Sequence, residues 1–198
     1  MMGIREASIE RITGETNIKI KLVLNGEGKL LGATGVGFFD HMMELFARHS
    51  GVDLHMDVAG DTYVDYHHLI EDIGICLGIC IKKALGDKKG INRYGSSYVP
   101  MDEALVRSVV DCSGRPSFVY LVTGLKSKVG GFDTELIEEF LRALANNGGI
   151  TMHIELLYGS NTHHCLEAVF KALARSLSEA WTQNPNLSDV LSTKGVLD

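Results

Sequence analysis

The chain has 198 residues, 45% of them hydrophobic and 22% charged, which suits one large soluble domain or two small ones sharing a core. A formal net charge of -6 argues against nucleic acid as the main partner, although a few local cations suffice for one phosphate. No run approaches the ~20 apolar residues of a membrane span and residues 1–11 hold no apolar stretch of secretory length, so no membrane partner and a cytoplasmic setting are expected.

In chain order, Ile18-Lys19-Ile20-Lys21-Leu22 alternates apolar and basic residues, the pattern of a half-buried strand, and Asn25-Gly26-Glu27-Gly28 follows as a turn. Residues 38–48 place Phe39, Met42, Met43 and Phe46 on one helical face, with Gly51 just past the end. Residues 54–58 predict a short strand, and residues 66–85 a long helix with Leu69, Ile73, Leu77 and Ile81 inward, closed near Gly86. Residues 90–99 are expected to form a seam. Beyond it the order repeats: strands over 105–111 and 118–123, a helix over 134–145, a strand over 152–156 and a helix over 162–182. Cys76, Cys80, Cys112 and Cys165 lie in apolar patterns without a CxxC pair, as expected of buried, reduced thiols.

The repetition extends to individual residues. Residues 40–58 align without gaps on 138–156, matching Gly51-Val52-Asp53-Leu54-His55-Met56 with Gly149-Ile150-Thr151-Met152-His153-Ile154. After a loss of two residues in the second copy, His67-His68-Leu69-Ile70-Glu71 falls on His163-His164-Cys165-Leu166-Glu167. Upstream, Glu15-Thr16-Asn17-Ile18 parallels Glu103-Ala104-Leu105-Val106. A long repeat present twice is a duplicated domain and not a solenoid. The fold class is α+β: internally duplicated βαβ-type half-domains, two four-stranded sheets each covered on one face by two helices. The half-domains are 1–90 and 91–198, the second including the C-terminal tail, joined in one compact unit.

Each copy opens its last helix with HHxxE. On a helix His67 and Glu71 share a face, whereas His68 is rotated by roughly 100°. Two ions, each taking one histidine from a pair, fit that geometry better than one. The aligned helices add His41 in the first copy and Glu139 in the second. Eight groups result, His41, His67, His68 and Glu71 with Glu139, His163, His164 and Glu167, enough for two ions with four ligands each. A sulfur-free histidine and carboxylate set suits Mn, Fe, Co or Zn, and open positions for substrate favour an octahedral metal such as manganese. Arg93, Arg115, Lys171 and the tail around Ser192 and Lys194 supply the guanidinium forks, lysines and hydroxyl that a phosphate needs.

The segments Phe39-Asp40-His41-Met42, Gly60-Asp61, Asp65 to Asp72, Met101-Asp102-Glu103-Ala104, Ser113-Gly114-Arg115-Pro116, Gly159 to Glu167 and Ser192-Thr193-Lys194-Gly195 together resemble imidazoleglycerol-phosphate dehydratase over nearly the whole chain. That family's second copy often has histidine where this chain has Glu139. The resemblance implies dehydration of imidazole glycerol phosphate to imidazole acetol phosphate in histidine biosynthesis, with two Mn2+ per active site. It also implies trimers assembled into a homo-24-mer whose active sites draw on neighbouring subunits. Glu15 is then the candidate base, Glu167 a ligand with a possible catalytic part, and Asp102 and His49 groups that orient the glycerol hydroxyls. Arg93, Arg115, Lys171, Ser192 and Lys194 would hold the phosphate. A two-metal phosphate hydrolase and a metal-stitched assembly protein are the rival readings.

Overall fold

The computed structural model describes residues 5–197; the outermost residues of both half-domains, 1–4 and 198, lie outside it. The first half runs β1 (Glu6–Ile12), β2 (Thr16–Val23), β3 (Leu30–Leu31), α1 (Gly37–Ser50), β4 (Asp53–Gly60) and α2 (His67–Leu85). The second runs β5 (Tyr94–Met101), β6 (Ala104–Asp111), β7 (Ser117–Leu121), a small hairpin β8 (Lys128–Val129) and β9 (Phe132–Asp133), α3 (Glu135–Gly148), β10 (Thr151–Tyr158) and α4 (Thr162–Trp181).

The sheets have the orders β1-β2-β4-β3 and β5-β6-β10-β7. They match in register as well as in order. Leu30 pairs with Leu54 in the parallel edge of the first sheet, and Phe118 pairs with Met152 at the corresponding edge of the second. Both first-layer helices end on glycines in the left-handed region, Gly51 at φ 74° and Gly149 at φ 63°, each donating its N–H to an alanine carbonyl four residues back. The alignment of His41 with Glu139 therefore holds in three dimensions.

Strands bury one face: Ile18, Ile20 and Leu22 point inward between exposed Lys19 and Lys21. The helices fill the space between the sheets. α2 lies across β1 and β2 and packs on α3, while α4 lies across β5 and β6 and packs on α1. Each sheet is covered by two helices, and each long helix is partnered by the short helix of the other half. One continuous cluster of buried residues runs through both halves, from Ile18 and Phe39 to Phe140, Phe170 and Trp181.

Two segments differ from expectation. Residues 94–99, expected within the seam, form most of β5, and residues 6–12, for which no element was expected, form β1. Both are edge strands, and their outward residues leave a pattern too polar to stand out. The four cysteines are free and buried, and burial pushes Cys76 up to about 11 and Cys80 and Cys112 up to about 12. Among the described residues no helix is long and apolar enough to cross a membrane.

The contact of α2 with α3 depends on two glycines one turn apart. A Cβ on Gly74 would stand 2.5 Å from the Phe140 carbonyl oxygen, and one on Gly78 would stand 2.6 Å from that of Leu144. Gly74→Ala is expected to destabilise the fold by about 1–3 kcal/mol in denaturant titration, although the same change in an open helix stabilises by roughly 1 kcal/mol. A neutral or stabilising result would show that the two helices are not in backbone contact.

Candidate functional site

The HHxxE motifs open α2 and α4, and each helix start is fixed by a short side chain. Asp65 accepts the His67 backbone N–H at 2.7 Å, and Asn161 accepts that of His163 at 3.0 Å. The histidines of each pair then diverge as helical geometry requires. The rings of His67 and His68 lie at 87° to one another, and those of His163 and His164 at 84°.

His163 turns toward α1. Glu167, one turn along α4, brings its Oε1 to 2.9 Å from His41 Nε2 and 3.0 Å from His163 Nε2. Lys171, a turn further on, donates to Glu167 Oε2 at 2.6 Å. Phe38 meets the His163 ring edge-on at 5.3 Å between centroids and limits its rotation. Burial alone would raise the Glu167 carboxyl, but the bonds from Lys171, His41 and His163 outweigh it and hold its pKa at about 2. The ligand atoms of His41, His163 and Glu167 all lie within 4.8 Å of one another, the one such trio among the described residues. Two imidazole nitrogens and a carboxylate oxygen at this spacing fit a single divalent transition ion.

The sequence left open how the eight groups divide between two ions, and the helix packing bears on that division. Because α1 packs on α4, His41 of the first copy joins the second copy's His163 and Glu167. By the same crossing α3 packs on α2, where His67 Nε2 and Glu71 Oε2 stand 3.6 Å apart. Glu139 itself lies 3.9 Å from Arg142 and is not drawn into a cluster within the chain.

The second histidine of each pair faces a different carboxylate. His68 Nδ1 is 3.1 Å from Asp61, and Glu15 stands 3.7 Å from His68 Nε2 with its side chain 56% exposed. His164 Nδ1 is 2.8 Å from Glu103 and 3.8 Å from Asp102, which lies in the β5–β6 turn at φ 47°. Asp61 and Glu103 were not read as site residues from the sequence. The repeat pointed to Glu103, since it aligns with Glu15, but Asp61 falls where the two copies lose register.

Of the five proposed phosphate ligands, Arg93, Arg115, Ser192 and Lys194 line one cleft of about 610 Å³ together with Tyr94 and Leu191. Lys171 does not line it, being committed to Glu167. His49, near the end of α1, has its pKa lowered by burial and by the neighbouring Lys171 and Arg175. Arg93 is largely spent on the fold: its Nε and Nη2 form a fork on Asp111 at 2.7 and 3.0 Å, and Nη1 donates to the Leu191 carbonyl at 2.6 Å. Lys88 adds a bond to the Leu197 carbonyl at 2.8 Å, so the tail that carries Ser192 and Lys194 is pinned to the segment before β5.

Fold and site thus define a duplicated α+β protein with a histidine and carboxylate cluster between its halves and a basic cleft beside the tail. The family model described as imidazoleglycerol-phosphate dehydratase matches residues 34–177. A relative of that name from Clostridium botulinum is 56% identical over 191 residues, covering 96% of this chain and 97% of its own. One from Moorella thermoacetica is 54% identical over 196 residues, covering 98% of each. The crystal structure of the Staphylococcus aureus enzyme superposes with a TM-score of 0.82 at 44% identity, over 90% of this chain and 99% of that one. The Pyrococcus furiosus structure gives 0.81 at 36% identity, over 96% of this chain and 100% of that one. The chain belongs to the imidazoleglycerol-phosphate dehydratase family and is a hydro-lyase of histidine biosynthesis.

Replacing Arg93 tests the tail's anchorage. Arg93→Lys keeps the charge but loses the fork, and amide exchange over residues 189–195 is expected to accelerate by about tenfold, the factor that about 1.4 kcal/mol of lost charge-assisted bonding produces. Unchanged exchange would mean that the tail is held by its other contacts.

Proposed function

We propose that the chain converts D-erythro-imidazole-glycerol phosphate to imidazole-acetol phosphate at a site holding two manganese ions. The supporting observation is the convergence of His41, His163 and Glu167 from opposite halves, beside second histidines turned to separate carboxylates. His41, His163 and Glu167 would hold one ion. His67 and Glu71 with Glu139 are the counterpart set, and His68 and His164 are offered outward. These groups are partly exposed on a single chain, with His67 and Glu71 side chains 44% and 45% open. That exposure supports an assembly in which neighbouring subunits complete each site, built from trimers into a 24-mer. Reduced, buried cysteines support a cytoplasmic setting. When bound, the ions supply Lewis acidity that draws electron density from the imidazole ring.

The residues of the chain account for the remaining steps. Substrate and product differ by one water: a hydroxyl leaves the carbon attached to the ring, a proton leaves the next carbon, and the resulting enol becomes the ketone. Glu15 is exposed beside His68 and is suited to take the carbon proton. Asp102 and His49 border the site and would orient the hydroxyls. Arg115, Ser192 and Lys194 would hold the phosphate, with Arg93 fixing the tail that presents two of them. Lys171 keeps Glu167 ionised, so that Glu167 serves as a ligand and not as an acid.

Chelation is expected to abolish turnover of imidazole glycerol phosphate and to shrink the particle in light scattering, with manganese restoring both. Full turnover by protein shown by elemental analysis to be metal-free would overturn the reading. Glu139→Ala is expected to lower metal content as much as His41→Ala does, while Glu139→His retains it. Two ions per site in Glu139→Ala, with normal turnover, would remove Glu139 from the ligand set.

A further inference from the structure

The two histidines that turn away from the clusters are held from behind by carboxylates at positions the duplication does not equate. Glu103 Oε2 lies 2.8 Å from His164 Nδ1. Its other oxygen, Oε1, accepts the backbone N–H of Asn161 at 2.6 Å, the backbone N–H of Ser160 at 3.2 Å and the Ser160 hydroxyl at 3.3 Å. Anchored at the start of α4, this carboxylate has no freedom to swing away. In the first half both oxygens of Asp61 lie near His68 Nδ1, at 3.1 and 3.3 Å. Glu15, which the repeat equates with Glu103, stands on the opposite edge of the His68 ring, at 3.7 Å from Nε2 and beyond hydrogen-bond reach.

The exchange of duties follows from the residue at one place. Gly159 meets Cys165 and Ala104 as Gly60 meets Leu69 and Thr16, so the residue that corresponds to Asp61 is Ser160. Ser160 carries no carboxylate; its backbone N–H and hydroxyl donate to Glu103, and Glu103 takes the histidine instead.

We propose that Asp61 and Glu103 are positioning residues of the dehydratase site, each fixing the proton of its histidine on Nδ1 so that Nε2 of His68 and His164 presents a lone pair. Asp61, by taking this duty in the first half, leaves Glu15 free for the substrate. A neutral imidazole carries one N–H, and a carboxylate accepting at Nδ1 settles which nitrogen bears it. The same contact fixes the ring's orientation and makes the outer nitrogen a better ligand. The proposal rests on the metal-site reading for what Nε2 does, but the tautomer is a property of the chain alone.

The substitution Glu103→Gln separates positioning from architecture. Its amide oxygen can still accept the Ser160 and Asn161 N–H groups, while its NH2 replaces the oxygen that faced Nδ1. A donor opposite Nδ1 drives the ring proton to Nε2, the wrong nitrogen for a ligand. Asp61→Asn is milder, because both Asp61 oxygens reach Nδ1 and the amide oxygen can turn to it. Histidine 15N NMR of the metal-free full-length protein, at alkaline pH where imidazoles are neutral, is expected to show His164 protonated on Nδ1 in wild type and on Nε2 in Glu103→Gln. In Asp61→Asn, His68 is expected to keep its Nδ1 proton, and in Asp61→Ala to lose that preference. Manganese affinity, titrated against a competing chelator, should fall by about tenfold to a hundredfold in Glu103→Gln and by less in Asp61→Asn. Wild-type His164 protonated on Nε2, or an unchanged tautomer in Glu103→Gln, overturns the proposal. If Glu103→Gln does not fold, the wild-type and Asp61→Ala spectra decide it in the same way. A wild type that binds no manganese overturns the metal-site reading, with the tautomer result standing apart from it.

Discussion

The crossed packing of the helices is the constraint on which the site depends. α1 lies on α4 and α3 on α2, so each long helix meets the short helix of the opposite half. Glycines at 74 and 78 let α2 approach α3 until backbones touch. Between the two pairs, Phe39 of α1 packs edge-on against Phe140 of α3 and links α1 to the centre of the bundle. This arrangement brings His41 to Glu167 across 126 residues of sequence. Neither half alone holds that trio of ligand atoms, and the cluster exists only where two apolar cores have merged into one.

Glu167 shows how the packing becomes chemistry. A carboxylate with a side chain only 10% exposed would ordinarily favour its neutral form. Here two imidazole nitrogens approach one of its oxygens and an ammonium takes the other, so the charged form prevails. The lysine reaches the glutamate because they are one turn apart on the same helix, a local feature of sequence that governs a long-range site. The phosphate cleft is a separate construction. It depends on a tail with little regular structure, made definite by the bonds of Arg93 and Lys88 to its carbonyls.

Much of this was legible in the sequence because duplication doubles every signal. The alternating strand Ile18–Leu22, the inward stripe Phe39, Met42, Met43 and Phe46, and the glycine helix ends recur at matching places, and each copy corroborates the other. Of the five residues read together from the sequence, Arg93, Arg115, Ser192 and Lys194 line one cleft and Lys171 does not. What did not show was which copy partners which. Helical periodicity tells which face of α1 is apolar, but not whether that face meets its own half or the other, and so the sequence left open which histidines His41 would join. Arg93 was read as a free cation for a related reason: its partners Asp111 and Leu191 are distant in sequence, and only the fold reveals that its fork is occupied.

The same duplication explains why two similar motifs do not make two similar sites. His67 and Glu71 correspond to His163 and Glu167, yet the position matching Lys171 is Ile75, so Glu71 has no lysine one turn on. Its side chain is 45% exposed, whereas that of Glu167 is 10% exposed. The histidine contacts differ in the same sense: His67 is 3.6 Å from Glu71, and His163 is 3.0 Å from Glu167. One cluster is drawn together within the chain by its own charges, and the other stays open at the surface. Two differences in sequence, Ile75 in place of Lys171 and Glu139 in place of His41, thus separate a cluster drawn together within the chain from one that is not, while the backbone beneath the two remains the same.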